Sequence, residues 1–192
     1  MLENTPVTRY IDPRVKRTRA LIEQAFHDLL EEKSFQSISV QDITDRAEIN
    51  RSTFYAHYKD KYALLESSIT RIFRRELEQQ TLSACHYSRE NLQALIVTVC
   101  DFIALAHKQY KPADSQFEVL VEKQVKKEVQ ALLEHWLEES GPTNNIKMAA
   151  TAATWAIYGL ALQWNNDKNH GKVEQFAIQI SPQIMGILQI TQ

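Results

Sequence analysis

Apolar residues recur every three to four positions along nearly all of this 192-residue chain, and very little interrupts them. That spacing marks one helical face after another. With 4 Gly and 5 Pro, the chain has too few turn-makers for a protein of short strands, and long helices are the expectation. Hydrophobic residues make up 44% of it, enough for a sizeable core. The length suits one large helical domain, or a small domain joined to a medium one. The fold class expected is therefore all-α.

The punctuation places the helices. In "DPRVKRTRALIEQAFHDLLEEK", Asp12 is the N-cap and Pro13 the first helical residue. Ile22, Ala25, Phe26, Leu29 and Leu30 then form one stripe. Ser39 and Asp42 make a variant capping box for a two-turn helix, "SVQDITDRA". The turn "AEIN" follows, and Asn50 caps a second short helix, "RSTFYAHY". Asp60 caps a longer helix with a stripe through Leu64, Leu65, Ile69, Ile72, Phe73 and Leu77. Beyond that the segments lengthen. "ENLQALIVTVCDFIALAHK" is apolar on more than one side, as a helix buried in a bundle would be. "SQFEVLVEKQVKKEVQALLEHWLEE" carries Phe117, Val121, Val125, Val129, Leu132 and Trp136 on one face, and Gly141-Pro142 ends it. "IKMAATAATWAIYGLALQW" is apolar nearly all round. "KVEQFAIQISPQIMGILQI" has Val173, Phe176, Ile180, Ile184, Ile187 and Leu188 in phase, with Pro182 expected to kink or interrupt it. The organisation expected is a helix-turn-helix domain over residues 1–60, a connecting helix over 61–83 and a helical domain over 84–192.

The formal net charge of -2 means that any contact with nucleic acid must come from a local patch. Cys85 and Cys100 form no CxxC pair and read as helix residues in a reducing compartment. No His cluster completes a metal site. No nucleophile, base or carboxylate pair stands at a catalytic spacing, so neither an enzyme nor a cofactor is expected. No apolar run reaches about 18 residues and the N-terminus has no apolar signal core, which points to a cytoplasmic protein with no membrane partner.

Two short helices joined by about four residues make a helix-turn-helix if the second lies exposed. On a wheel of residues 51–58, Phe54 and Tyr58 share one side and would pack on the Phe26–Leu29 stripe. Arg51, Ser52, Tyr55 and Ala56 occupy the opposite face, with Thr53 and His57 flanking it. Ala47 is small where the short helices approach, and Ile49 can plug the turn. Such a face enters a major groove while hydroxyls and helix starts hold phosphates. The cluster Arg14, Lys16, Arg17 and Arg19 can reach an adjacent backbone or minor groove. The plainer reading of both features is a solvated face, and helix-turn-helix patterns arise in many helical proteins by chance.

The run "LIEQAFHDLLEEKSFQSISVQDITDRAEINRSTFYAHYKDKYALL" resembles the N-terminal domain of TetR-family transcriptional repressors over residues 15–65. The strongest part is "STFYAHYKDK" followed by Leu64-Leu65, against a family pattern of Thr-Phe-Tyr-x-His-Phe, two residues, Lys, then Leu-Leu. The resemblance implies that Ser39, Asn50, Ser52, Thr53, Tyr55, His57 and Lys61 contact double-stranded operator DNA, mostly at phosphate. It also implies that Arg51, Ser52 and Tyr55 lie nearest to bases. Glu48, Ser52 and Ser34 stand where the family often has Gly. At Glu48 the expectation is a turn helical enough to tolerate a side chain, with a negative charge added near the DNA.

TetR-like proteins are similar in using the C-terminal helices to dimerise and, commonly, to sense a ligand. Residues 156–164, "AIYGLALQW", resemble the C-terminal domain of one TetR subgroup. The last two segments also carry more apolar surface than a small bundle needs. A homodimer is expected through residues 146–165 and 172–190, with Trp155, Tyr158, Gly159, Phe176, Ile180 and Ile184 as candidates. A small apolar effector is assigned to residues 88–165, with Phe102, His107, Tyr110, Phe117, Trp136 and Trp155 as candidate lining. Aromatics at helical spacing are more often core than pocket. The function read from all this is a sequence-specific DNA-binding regulator, a ligand-responsive repressor acting as a homodimer. The alternatives are a ligand-independent regulator, or a helical protein-interaction module whose helix-turn-helix only packs.

Overall fold

The computed structural model describes residues 12–80, 86–109, 115–140 and 145–188. Among them the chain is all-α, as its pattern predicts. The helices are α1 (Pro13–Glu32), α2 (Val40–Arg46), α3 (Arg51–His57), α4 (Lys61–Gln80), α5 (Arg89–Gln109), α6 (Ser115–Glu139), α7 (Ile146–Asn166) and α8 (Val173–Leu188). The chain divides into two compact units at Leu64–Leu65, inside α4.

The first unit is built from α1, α2, α3 and the start of α4. The Asp12 carboxylate accepts from the Arg14 amide at 2.8 Å and opens α1. The Ser39–Asp42 capping box is complete: the Asp42 amide donates to Ser39 Oγ at 3.1 Å, and the Ser39 amide donates to Asp42 Oδ2 at 2.7 Å. Asp60 opens α4 by accepting from the Ala63 amide at 2.8 Å. Ile22, Phe26, Leu29, Ile43, Phe54 and Leu64 fill the small core. A 3-10 helix at Phe35–Ser37 had no counterpart in the sequence pattern. It forms where Phe35 turns into the core, its ring edge-on to Phe26 at 6.1 Å and to Tyr62 at 5.2 Å.

The turn between α2 and α3 departs from expectation. Glu48 has φ 54°, in the left-handed region, so the turn is not helical there. A residue with a Cβ pays about 1–2 kcal/mol for that conformation, which glycine, the residue the family resemblance implies there, adopts without that cost. The turn is held by the Ala47 amide on Ile43 O at 2.9 Å and the Ile49 amide on Thr44 O at 3.0 Å.

In the second unit, α5, α6, α7 and α8 pack on one another. Leu92, Leu95, Ile96, Val99 and Cys100 bury the α5 face completely. Burial pushes the Cys100 thiol up to about 12, so it behaves as a small apolar side chain; Cys85 lies outside the described residues. Over Arg89–His107, α5 is long and apolar enough to cross a membrane by length and composition, although no uninterrupted apolar run was expected. Half of that window is buried inside the protein, as in a bundle's central helix. On α6 the buried stripe runs through Val125, Val129 and Leu133; Leu132, expected on it, is only half-buried. Ala150, Ala153, Ile157 and Ala161 bring α7 close to its neighbours. The side-chain amide of Asn165 donates to Cys100 O and Ala161 O, each at 3.0 Å, tying α7 to α5.

Pro182 does not interrupt α8, which runs unbroken from Val173 to Leu188. Proline removes one amide donor and frees the carbonyl four residues back. That carbonyl belongs to Ile178, an exposed residue, so water can satisfy it.

Candidate nucleic-acid interface

Two aromatic side chains set the roll of α3. Phe54 is fully buried, and Tyr58, just past the helix end, is nearly so. The Tyr58 hydroxyl donates to Glu23 Oε1 at 2.8 Å, and the Arg19 guanidinium sits 5.4 Å over its ring. With these two inward, Arg51, Ser52, Tyr55 and Ala56 face outward and Thr53 and His57 lie at the margins. This is the arrangement the helical wheel predicts.

The outward face is partly organised in advance. Tyr55 is 49% exposed. Its ring is braced edge-on by Phe54 at 5.5 Å, and its oxygen accepts from Arg51 Nη2 at 3.3 Å. The Arg51 guanidinium carbon stands 5.9 Å from the Tyr55 ring centroid. Asn50 caps α3 through its backbone carbonyl, which accepts from Thr53 and Phe54 at 3.0 and 3.2 Å. Its exposed side chain makes no capping bond, leaving the amide for an outside partner.

Ser39 and Lys61 are placed differently. The Ser39 hydroxyl donates to Asp42 Oδ2 at 2.6 Å and accepts from the Asp42 amide. Its only proton is therefore engaged within the capping box. Lys61 Nζ donates to the carbonyl oxygens of Phe35, Gln36 and Ile38. Two further cations, not singled out from sequence, are also turned inward. Lys33 pairs with Asp42 at 2.9 Å, and Arg46 Nη2 reaches both carboxylate oxygens of Glu32 at 2.9 Å. The bond from the Ser39 hydroxyl, then the one from Lys33, hold the Asp42 carboxyl well below the usual aspartate range. Bonding to Arg46 lowers that of Glu32. Neither Lys33 nor Arg46 has a sequence signal, because their partners are fixed only by how α1 and α2 cross. Arg14, Lys16 and Arg17, on the first turns of α1, are exposed and hold no ion pair among the described residues.

In the second unit the described candidate pocket residues differ in their exposure. Phe102, Phe117 and Trp136 are buried in the core. His107 is exposed, and Tyr110 lies outside the described residues. Trp155 is 61% exposed. It borders an open groove of about 660 Å³ with Val119, Lys126 and Gln130, and Lys126 Nζ sits 3.2 Å from its ring centroid. A smaller cleft of about 280 Å³ lies over Phe73, Leu77, Leu132 and His135.

The interface candidates divide as well. Ile184 is fully buried and Ile180 nearly so within their own bundle, so these two are core residues and not a surface for a partner. Phe176 is half-buried, stacked on Trp164 at 5.7 Å, and Tyr158 is half-buried 5.5 Å from Lys126 Nζ. Trp155 and Gly159 are exposed. They continue an outward stripe with Met148, 70% exposed, and α8 separately exposes Ile178, at 58%. Met148 and Ile178 were missed because apolar residues surround both helices and leave their phase open.

Residues 21–67 match the family described as bacterial regulatory proteins, tetR family. Over 77 residues the chain is 39% identical to the uncharacterized HTH-type transcriptional regulator YxbF of Bacillus subtilis (strain 168), covering 40% of this chain and 20% of that protein. Over 101 residues it is 27% identical to the HTH-type dhaKLM operon transcriptional activator DhaS of Lactococcus lactis subsp. lactis (strain IL1403), covering 53% of this chain and 52% of that one. Both matches thus span about half or less of those relatives. The fold is similar to the crystal structure of a TetR-family regulator from Streptomyces coelicolor A3, with a TM-score of 0.66 and 15% identity, over 95% of this chain and 99% of that one.

Proposed function

We propose that this chain, whose residues 21–67 match the tetR family of bacterial regulatory proteins, is a cytoplasmic regulator of transcription that binds double-stranded operator DNA as a homodimer. The observation that carries the reading is the outward face of α3, where Arg51 and Tyr55 are exposed and hold each other. A guanidinium offers paired donors to the O6 and N7 of guanine in the major groove. Asn50, Ser52, Thr53 and His57 surround it with groups suited to phosphate. Arg14, Lys16 and Arg17 add local positive charge that the net charge of the chain conceals.

Two features support the homodimer. The stripe of Met148, Trp155 and Gly159 on α7, with Ile178 on α8, leaves large apolar groups in water. Gly159 and Gly186 lie within helices, where glycine costs roughly 0.5–1 kcal/mol relative to alanine. A Cβ added at either would meet nothing within 4 Å, so nothing in the chain itself requires glycine there. Close approach of a second copy supplies the reason. A two-fold pair would set its recognition helices roughly 34–36 Å apart, one turn of DNA. Repression follows where the bound dimer covers a promoter.

A small effector belongs in the bundle of this proposal. The hydroxyls of Ser68, Tyr87 and Thr154 are buried with no hydrogen-bond partner among the described residues, and buried hydroxyls call for a water or a ligand. Thermal shifts against a panel of small compounds test that part.

The main test is binding to promoter-derived duplexes across salt. Phosphate contacts release counterions, so affinity should fall steeply between about 50 and 200 mM salt. Arg51→Ala should cost about 1–3 kcal/mol and relax preference at one position per half-site. Binding insensitive to salt, and to both Arg51→Ala and Tyr55→Ala, would leave a protein-interaction module as the better reading.

A further inference from the structure

Lys61 opens α4, yet its ammonium group reaches back to the connection between α1 and α2. Nζ donates to the carbonyl oxygens of Phe35 at 2.9 Å, Gln36 at 3.1 Å and Ile38 at 2.7 Å. A lysine has three protons, and here each has a carbonyl. The charge also lies 4.7 Å from the Phe35 ring centroid and 5.7 Å from that of Tyr62. Carbonyls at the end of a short helical turn carry partial negative charge, so a cation is a natural partner for them; Phe35 O also accepts from the Ile38 amide at 3.2 Å.

What those carbonyls lead into matters for DNA binding. Ile38 is followed directly by Ser39, the N-cap of α2, whose amide and hydroxyl both bond to Asp42. Asp42 in turn pairs with Lys33 at the end of α1. Both lysines therefore bond to the segment that starts α2, Lys61 to the carbonyls before it and Lys33 to Asp42 within it. At the other end of α2, Arg46 binds Glu32. The direction of α2 sets that of α3, because only the turn at Ala47–Asn50 separates them.

We infer that Lys61 is a positioning residue for operator binding: its three bonds to the 35–38 carbonyls hold the start of α2, and thereby the α3 face, in register for the groove. This rests on α3 being the reader. It departs from the role the family resemblance implies for this lysine, which is a contact with phosphate. The two roles differ in a measurable way. A lysine on phosphate releases a counterion, and its loss lowers the salt slope by about one per subunit. A lysine directed into its own domain leaves that slope alone.

The experiment compares the full chain with Lys61→Met and Lys61→Arg on one promoter-derived duplex, across salt, at a temperature where circular dichroism shows all three folded. Lys61→Met should bind about five- to hundredfold more weakly, the range for losing one well-placed contact, with its salt slope unchanged. Lys61→Arg keeps the charge but cannot place three protons on the same carbonyls, and should also bind more weakly with unchanged slope. The inference is overturned if Lys61→Arg binds normally while Lys61→Met loses about one unit of slope. It is equally overturned if Lys61→Met melts earlier but, while folded, binds DNA as the parent does. Should either variant not fold, nitrogen NMR of the Lys61 ammonium in the unaltered protein decides. Its signal should be protected in the free protein and unmoved by the duplex, and a shift onto DNA overturns the inference. If Arg51→Ala and Tyr55→Ala have no effect on binding, the reading of α3 fails instead.

Discussion

The unit ending at Leu64 and the bundle after it use the same residue types under different rules. In the first unit α2 and α3 are short, seven residues each, and two-sided. Between Arg51 and Tyr58 every residue has one place to go, because Phe54 and Tyr58 must be inside. Polar residues there sort by partner, and Ser39, Lys33, Arg46 and Lys61 turn to their own domain. In the bundle, α7 and α8 are apolar on several sides. Periodicity places them as helices, but which face meets the core is decided by packing. Polar specificity is thus built where a helix has one buried face, and apolar surface is left over where it has two.

The largest effect should come from removing the anchor of the first unit. Phe54→Ala empties a fully buried site and should cost about 3–5 kcal/mol. In urea unfolding, a loss under about 1 kcal/mol would show that α3 is not held by its inward face. The bundle counterpart is Gly159→Leu. An added Cβ meets nothing within 4 Å in the single chain, so the substitution acts chiefly on a partner seated there. Overpacking an interface costs about 1–3 kcal/mol, so sedimentation should shift toward monomer at micromolar concentration. An unchanged dimer would remove that face of α7 from the proposed interface.

A smaller effect sharpens the contrast within the first unit. Glu48→Gly relieves a left-handed residue at the expense of a more flexible unfolded chain, for a net gain of about 0.5–1 kcal/mol. Removing the charge should also tighten DNA binding. A drop in melting temperature would mean that the Glu48 side chain supports the turn. The smallest effect is acid sensitivity. Because the Asp42 pKa is depressed in the fold, its contribution is present above the ordinary aspartate value of 3.8 and is lost as pH falls further, through the folded pKa. Asp42→Asn should flatten the dependence of stability on pH in that acid range while leaving it unchanged between pH 6 and 8. A pH profile identical to the parent's would show that the capping box does not depend on ionised Asp42.

Local chemistry was enough to make several features of this protein legible in its sequence. Asp12, Ser39 with Asp42, and Asp60 cap the helices they were expected to cap, because each bond spans only two or three residues. The two faces of α3 followed from a wheel of eight residues. Other features depended on residues far apart in the chain. Lys61 finds carbonyls 23 to 26 positions away, and Arg46 finds Glu32 14 positions away; no periodicity encodes either pair. The burial of Ile184 beside the exposure of Ile178, and the passage of α8 through Pro182, depend on which side of a helix meets solvent. Sequence alone determined the helices, their caps and the face of α3, since these arise from interactions within a turn or two. Only the tertiary structure decided which cations turn inward and which apolar faces stay uncovered, since both follow from how helices cross.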